Sequence, residues 1–290
     1  VIERLLSTFD IEMAGEEIAE RRIDGRYQGT LSRILHQIAP DVGFVIAHAN
    51  GKPRRVVFSG ERRQDAAGAV PDTVASQAEL GMMYASGRGG AQDLAQAASW
   101  FERAAEKGNA NGQYYLGTLY AAGRGKPENY AEAARLFTLA ADQGHAQANY
   151  QLGLMLQDGI GVQKNQAGAI TRFRTAAERG VPGAQTALGF AYLGGEGVEK
   201  NDTLAAKWFV EAAMRGDALA QDRLARLYFL GQGVTRDITA ALLWQTLAEE
   251  GGVTDETLKN AMEPEITPEI RAKVKAEIMK LEAAAAAAAP

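Results

Sequence analysis

Few side chains in this sequence are spaced for chemistry. Its three histidines, His36, His48 and His145, are scattered, and no two share the i, i+4 spacing that sets a pair of metal ligands on one helix face. There is no cysteine, which excludes thiolate metal sites, disulfides and cysteine nucleophiles. No Ser-x-x-Lys occurs, so an activated serine beside a base has no obvious source. Gly-x-Gly loops could cradle phosphate, but a dinucleotide fingerprint follows a strand. Here each pair follows a helical pattern and recurs, as in Gly87/Gly89, Gly123/Gly125 and Gly195/Gly197. The cluster Lys52, Arg54, Arg55, Arg62 and Arg63 could touch an acidic partner or phospholipid; with Glu61 and Asp65 beside it, a solvated hairpin edge is expected. The expectation is a chain with no catalytic residues, no cofactor and no metal.

What the sequence repeats is packing. Gly81, Gly117, Gly153 and Gly189 are spaced by 36, with Ala225 in fifth place. Gly87, Gly123, Gly159, Gly195 and Gly231 keep the same period, as do Gly108, Gly144, Gly180, Gly216 and Gly252. A fixed period of this length marks a solenoid in which each unit buries its apolar face against its neighbours. Leu80, Met83 and Tyr84 give the first helix of a unit one apolar face, and Gly81 beside them lets a second helix approach. The Gly-x-Gly loop ends that helix. Asp93, Asn129, Asn165, Asn201 and Asp237 stand where the second helix needs an N-cap acceptor. Pairs such as Ala97-Ala98 and Ala104-Ala105 keep the helices close, and Gly108 with its equivalents closes the unit. Copy three departs most, with Leu156 at the Tyr position and Arg172 at the Trp position.

This pattern strongly resembles the Sel-one-like repeats (SLR), relatives of the tetratricopeptide repeat, over about residues 74–252. The fold expected is mostly α: an α-solenoid of five 36-residue helix-turn-helix repeats plus a small N-terminal α/β domain. Residues 253–282 are expected as capping helices, with Thr267-Pro268 as a helix start and Ile270, Val274, Ile278 and Leu281 as its apolar stripe. Residues 283–290 form an alanine-rich tail. Some proteins with such repeats have been described as β-lactamases, but those resemble a cysteine-stapled version that this chain lacks.

Residues 1–60 do not repeat. Ile2, Leu5, Leu6 and Phe9 have helical spacing, and Ile11 with Met13 alternate as a short strand would. A strand-like stretch at Gly25 to Gln28 leads through Gly29-Thr30 into the helix Leu31, Ile34, Leu35, Ile38. Phe44–His48 and Val56–Phe58 flank Asn50-Gly51, a hairpin signal. The stretch Gly25-Arg26-Tyr27-x-Gly29-Thr30-Leu31 and the hairpin are similar to the short N-terminal domain of secretins and TonB-dependent receptors. That likeness implies a docking role in the periplasm of a Gram-negative bacterium. Residues 61–73 are expected as a linker. Val1 in place of Met suggests a trimmed product.

Composition narrows the function. With 46% apolar residues among 290, real cores are affordable, and the longest apolar stretches fall short of a membrane span. Net charge is −5 and no basic face appears, so nucleic acid is not an expected partner. At about 100° per residue, the invariant positions of the first helix gather on one side and the variable ones lie opposite. Along the array the variable side carries Tyr114, Tyr150, Leu154, Gln157, Phe190, Leu193, Asp222, Arg226 and Phe229. Aromatics with an arginine are typical interface anchors. The tetratricopeptide resemblance sets first helices on the concave surface, so these residues are expected to hold a segment of a partner protein. The opposing expectation is that they pack against neighbouring repeats. The leading function is a non-catalytic scaffold or regulator of the bacterial envelope, for example in exopolysaccharide regulation or secretion; a cell-wall-active hydrolase or its activator, and a cytoplasmic adaptor, are the alternatives. Homo-oligomerisation stays open.

Overall fold

In a computed structural model of the chain, the 36-residue period becomes ten short helices paired five times. The structure describes residues 12–14, 43–49, 52–59, 74–88 and 90–288. The helix pairs are α1 (Val74–Ser86) with α2 (Leu94–Glu106), α3 (Ala110–Ala122) with α4 (Tyr130–Asp142), and α5 (Ala146–Asp158) with α6 (Gln166–Glu178). Then come α7 (Pro182–Gly194) with α8 (Asp202–Ala213) and α9 (Ala218–Leu230) with α10 (Ile238–Glu250). The chain divides into two compact units, Val1–Ser76 and Gln77–Pro290.

Within a pair, the close approach is made by one aromatic ring. A Cβ on Gly153 would lie 2.5 Å from the Phe173 ring, and one on Gly189 would lie 2.6 Å from Phe209. Gly81 and Gly117 face Phe101 and Phe137 in the same way. These four phenylalanines are among the largest fully buried side chains described. The fifth pair explains itself: the ring is replaced by Gln245, and Ala225 takes the place of glycine opposite.

Second helices start as the sequence predicts. Asn129, Asn165 and Asn201 accept from the N–H groups of Glu132, Gly168 and Leu204 at 3.0, 2.9 and 2.9 Å. Asp93 and Asp237 each accept from two N–H groups. First helices end on Gly123, Gly159, Gly195 and Gly231, all with φ between 62° and 76°. The second glycine of the loop has a separate task. Gly161 lies against the Tyr130 carbonyl, and Gly233 against that of Asp202, both at the start of the preceding repeat's second helix. No side chain fits there, so these loops lock onto the neighbouring repeat.

After the array, α11 (Glu256–Met262) and a 3₁₀ turn (Glu263–Glu265) lead into α12 (Pro268–Ala288). Leu258 and Met262 are buried against Ala225 and Ala241, which closes the fifth repeat. Thr267 caps α12 through Ile270 N–H at 3.3 Å. Of the expected stripe, Val274 is buried and Ile270 and Ile278 are half-buried. Leu281 is 39% exposed and does not belong to it. The alanine run continues α12 as far as Ala288.

In the N-terminal unit, β1 (Glu12–Ala14), β2 (Gly43–Ala49) and β3 (Lys52–Ser59) form a sheet in the order β1-β3-β2. β2 and β3 pair antiparallel, with Val45 opposite Val57 and an irregularity between Ala47 and His48. This is the hairpin expected around Asn50-Gly51. β1 runs parallel to β3, with Met13 opposite Val56. The helices expected near Ile2–Phe9 and Leu31–Ile38, the strand near Gly25–Gln28 and the linker 61–73 lie outside the described residues.

The ring contact generates a prediction. Alanine in place of a mid-helix glycine gains about 1 kcal/mol of helix propensity, whereas overpacking a filled core costs about 1–3 kcal/mol. With Phe173 fully enclosed, Gly153→Ala is expected to lose up to about 2 kcal/mol in urea unfolding, and the same substitution should lose less in a Phe173→Leu background. Equal losses in the presence and absence of Phe173 would show that the ring is not the cause.

Candidate functional site

The first helices carry a buried polar column that sequence reasoning missed. Gln77, Gln113, Asn149, Gln185 and Gln221 occupy equivalent positions, and all are buried. Asn149, Gln185 and Gln221 donate from their amide nitrogens to Ala141, Ala177 and Ala213, each at 3.1 Å. Gln113 reaches Ala105 at 3.4 Å. Each acceptor is a carbonyl in the last turn of the preceding repeat's second helix, which also accepts from the N–H of the closing glycine, so the amide takes up its second lone pair. One side chain per repeat therefore ties two repeats together. The signal was available: an amide recurring at the repeat period in an otherwise apolar helix face. In copy three, Arg172 in place of Trp adds to this junction, donating to Asp142 at 2.9 Å and to Asn149 Oδ1 at 3.4 Å.

The nine residues expected to bind a partner fall into four groups. Tyr114 stacks on His145 with ring centroids 4.5 Å apart and leans on Phe137. At the far end, Asp222, Arg226 and Phe229 serve the cap. Asp222 is 3% exposed, and burial raises its carboxyl above the ordinary value, against the pull of Arg223. Arg226 pairs with Asp255, the N-cap of α11. Burial raises the Asp255 carboxyl, but the Leu258 N–H and the Arg226 guanidinium outweigh it and hold that group below its usual range. Phe229 lies under the Arg236 guanidinium, which also pairs with Glu265. The exposure expected of Asp222 is thus absent, as it is for Thr186 at the equivalent position of the fourth repeat. Leu193 is half-buried against the core of the fourth repeat.

The remaining four, Tyr150, Leu154, Gln157 and Phe190, line one hollow of about 270 Å³ on the first-helix face. Ile170, Phe173 and Ala187 contribute to its apolar wall, and Gln166 and Glu196 to its polar edge. Gly183 matters here: a Cβ would come within 2.7 Å of the Tyr150 hydroxyl, so glycine leaves room for that ring. Burial, and then the Asp217 carboxylate, raise the Tyr150 phenol, which therefore stays a neutral donor at physiological pH. Phe190 meets Phe209 edge-on at 5.2 Å and carries the Arg223 guanidinium 5.5 Å above its ring. Leu219, 41% exposed, stands at the rim.

One group in the wall is out of balance. Thr186 is 5% exposed, yet its hydroxyl oxygen has no hydrogen-bond partner. Other helical threonines, Thr138, Thr171 and Thr246, donate to the carbonyl one turn back at 2.8, 3.0 and 2.8 Å. A buried hydroxyl left unpaired costs about 1–3 kcal/mol. Among the described residues no three His, Asp or Glu side chains gather to hold a metal ion.

The amide column gives a second prediction. Gln185→Leu keeps the shape but removes the amide's bond to the Ala177 carbonyl, which retains the Gly180 N–H, and is expected to cost about 0.5–1.5 kcal/mol in urea unfolding. Gln163→Leu, on an exposed loop, serves as the control and should change stability by less than about 0.5 kcal/mol. Equal, small effects would mean that the amide does not couple the repeats.

Comparison with known proteins agrees with this construction. The Sel1 repeat family model matches residues 74–109, 110–145, 146–181, 182–217 and 218–253. A Sel1 repeat protein from Oxalobacter formigenes of known structure is similar at 35% identity with a TM-score of 0.58, over 62% of this chain and 74% of that one. The protective antigen c5321 of uropathogenic Escherichia coli, which displays an SLR fold, is similar at 35% identity and a TM-score of 0.60. That match covers 66% of this chain, which spans only about 40% of the length of c5321. A comparison with curated proteins gives no match. Five consecutive repeats, four of them built on the same ring-on-glycine contact, make this chain a member of the Sel1 repeat family.

Proposed function

We propose that this chain is a non-catalytic scaffold of the bacterial envelope that takes up a segment of a partner protein on its first-helix face. The hollow between Tyr150, Leu154 and Phe190 carries this reading. Its 270 Å³ falls below the roughly 300–1,000 Å³ of pockets that enclose small molecules, and suits one or two side chains of a docked segment. An apolar floor and a polar edge are the makings of such a contact. Sel1 repeat proteins are in general protein-interaction scaffolds, which agrees with the absence of any catalytic constellation in the sequence.

The envelope setting has separate support. The likeness of residues 1–60 to the short domain of secretins and TonB-dependent receptors points to the periplasm, and its hairpin is the part within the described residues. Among the described residues no helix is long and apolar enough to cross a membrane. Regulation or export assembly would both use a scaffold of this kind.

A photo-crosslinking amino acid at Ala187, on the wall of the hollow, tests the reading in intact cells. The expected result is a single protein adduct recovered from the envelope fraction. Leu154→Ala with Phe190→Ala should lower affinity for that protein roughly 30-fold or more, the loss of about 2 kcal/mol typical of interface anchors. Undiminished capture by the double variant would overturn the assignment.

A further inference from the structure

We propose that His145 makes the junction between the second and third repeats responsive to pH, because its imidazole is the N-cap of α5. The Ala148 N–H donates to His145 Nδ1 at 3.1 Å, and His145 has the extended backbone of a capping residue, φ −65° and ψ 115°. Only an imidazole protonated at Nε2 alone can accept there; the imidazolium carries a proton on both nitrogens and has no acceptor. A second proton therefore breaks the cap outright.

The equivalent junctions are built differently. Asn109 accepts from the Gly112 N–H at 2.8 Å, and Asp217 from the Ala220 N–H at 2.9 Å. Val181 has no side-chain cap and is followed by Pro182, which needs none at that position. An amide does not titrate, and a carboxylate stays charged far below neutrality. Among the described residues, His145 is thus the capping group of this column that titrates below the ordinary histidine value.

The ring face of Tyr114 favours the imidazolium, but the charged groups around it do not. Tyr114 on α3 presents a flat ring, and burial foremost keeps its phenol neutral. Asp142 at the end of α4 is taken up by Arg172 of α6. From the end of α6, the Arg179 guanidinium lies against Gly144, where a Cβ would sit 2.8 Å from Nη2. On α5 itself, the helix N-terminus opposes a positive charge. Burial lowers the imidazole from its ordinary value of 6.5. The sign follows: the folded form prefers neutral histidine, so the contribution to stability is full above about pH 6.5 and is lost as pH falls through the lower folded value. The next residue but three carries the loss onward. Asn149 donates both to the His145 carbonyl, at 3.0 Å, and to Ala141 of the preceding repeat.

Amide hydrogen exchange of the full chain between about pH 7.5 and 5, corrected for intrinsic rates, tests the inference. The Ala148 amide should lose protection roughly fivefold or more on acidification, the size expected for a lost N-cap. Those of Gly112 and Ala220 should hold theirs. His145→Asn should keep Ala148 protected at both ends of the range; if that variant does not fold, His145→Asp takes its place. Constant protection of Ala148 in the parent chain, or the same acid loss in the folded variant, would overturn the proposal. So would nitrogen chemical shifts that put the single proton of neutral His145 on Nδ1.

Discussion

An aromatic ring laid against bare helix backbone sets the geometry of every repeat but the last. Phe101, Phe137, Phe173 and Phe209 each occupy the space that a Cβ on the opposing helix would fill. The helix separation in each pair follows from that contact, and so does the use of alanine on both sides of it, since larger residues would hold the helices apart. Gln245 opposite Ala225 shows the rule by its exception. Once the ring is gone, glycine is no longer required, and the cap formed by Leu258 and Met262 takes over the closure.

A solenoid also needs its units joined, and here the joints are polar. The Gln/Asn column reaches back to a carbonyl at the end of the previous repeat, and the second loop glycine seats on the start of the previous second helix. Apolar burial is not directional and tolerates slippage. Hydrogen bonds to fixed carbonyls are directional, so the joints fix the stacking of one repeat on the next. The hollow between Tyr150, Leu154 and Phe190 depends on that stacking, because its walls come from the third and fourth repeats. The buried Thr186 hydroxyl is a departure from full pairing at this place, and such departures are expected where function overrides local stability.

Much of this was legible in the sequence because it repeats. Helix ends, the Asn and Asp caps, the positive-φ glycines and the close approach at Gly81 could each be read from five copies. The candidate face was legible only as a set of variable positions. Period and helical angle select Asp222 as readily as Phe190, but Asp222 is buried, like its equivalent Thr186, whereas Phe190 is half-buried. The amide column could have been found from its period alone. What hid it was the expectation that a column inside an apolar face must itself be apolar. His145 escaped for the opposite reason: it stands at a capping position that Asn109 and Asp217 identify, yet histidine is not a usual cap. The non-repeating residues 1–60 gave one firm element, the hairpin, because turn chemistry is local, whereas a single copy offers no columns to compare.

The account rests on the claim that this array works by holding a partner segment on its first-helix face. A crystal structure of the chain with the segment of its crosslinked partner would test that claim most directly. The expected result is an apolar side chain of the segment seated between Tyr150, Leu154 and Phe190. A segment bound along the second helices, with the hollow holding only solvent, would contradict it.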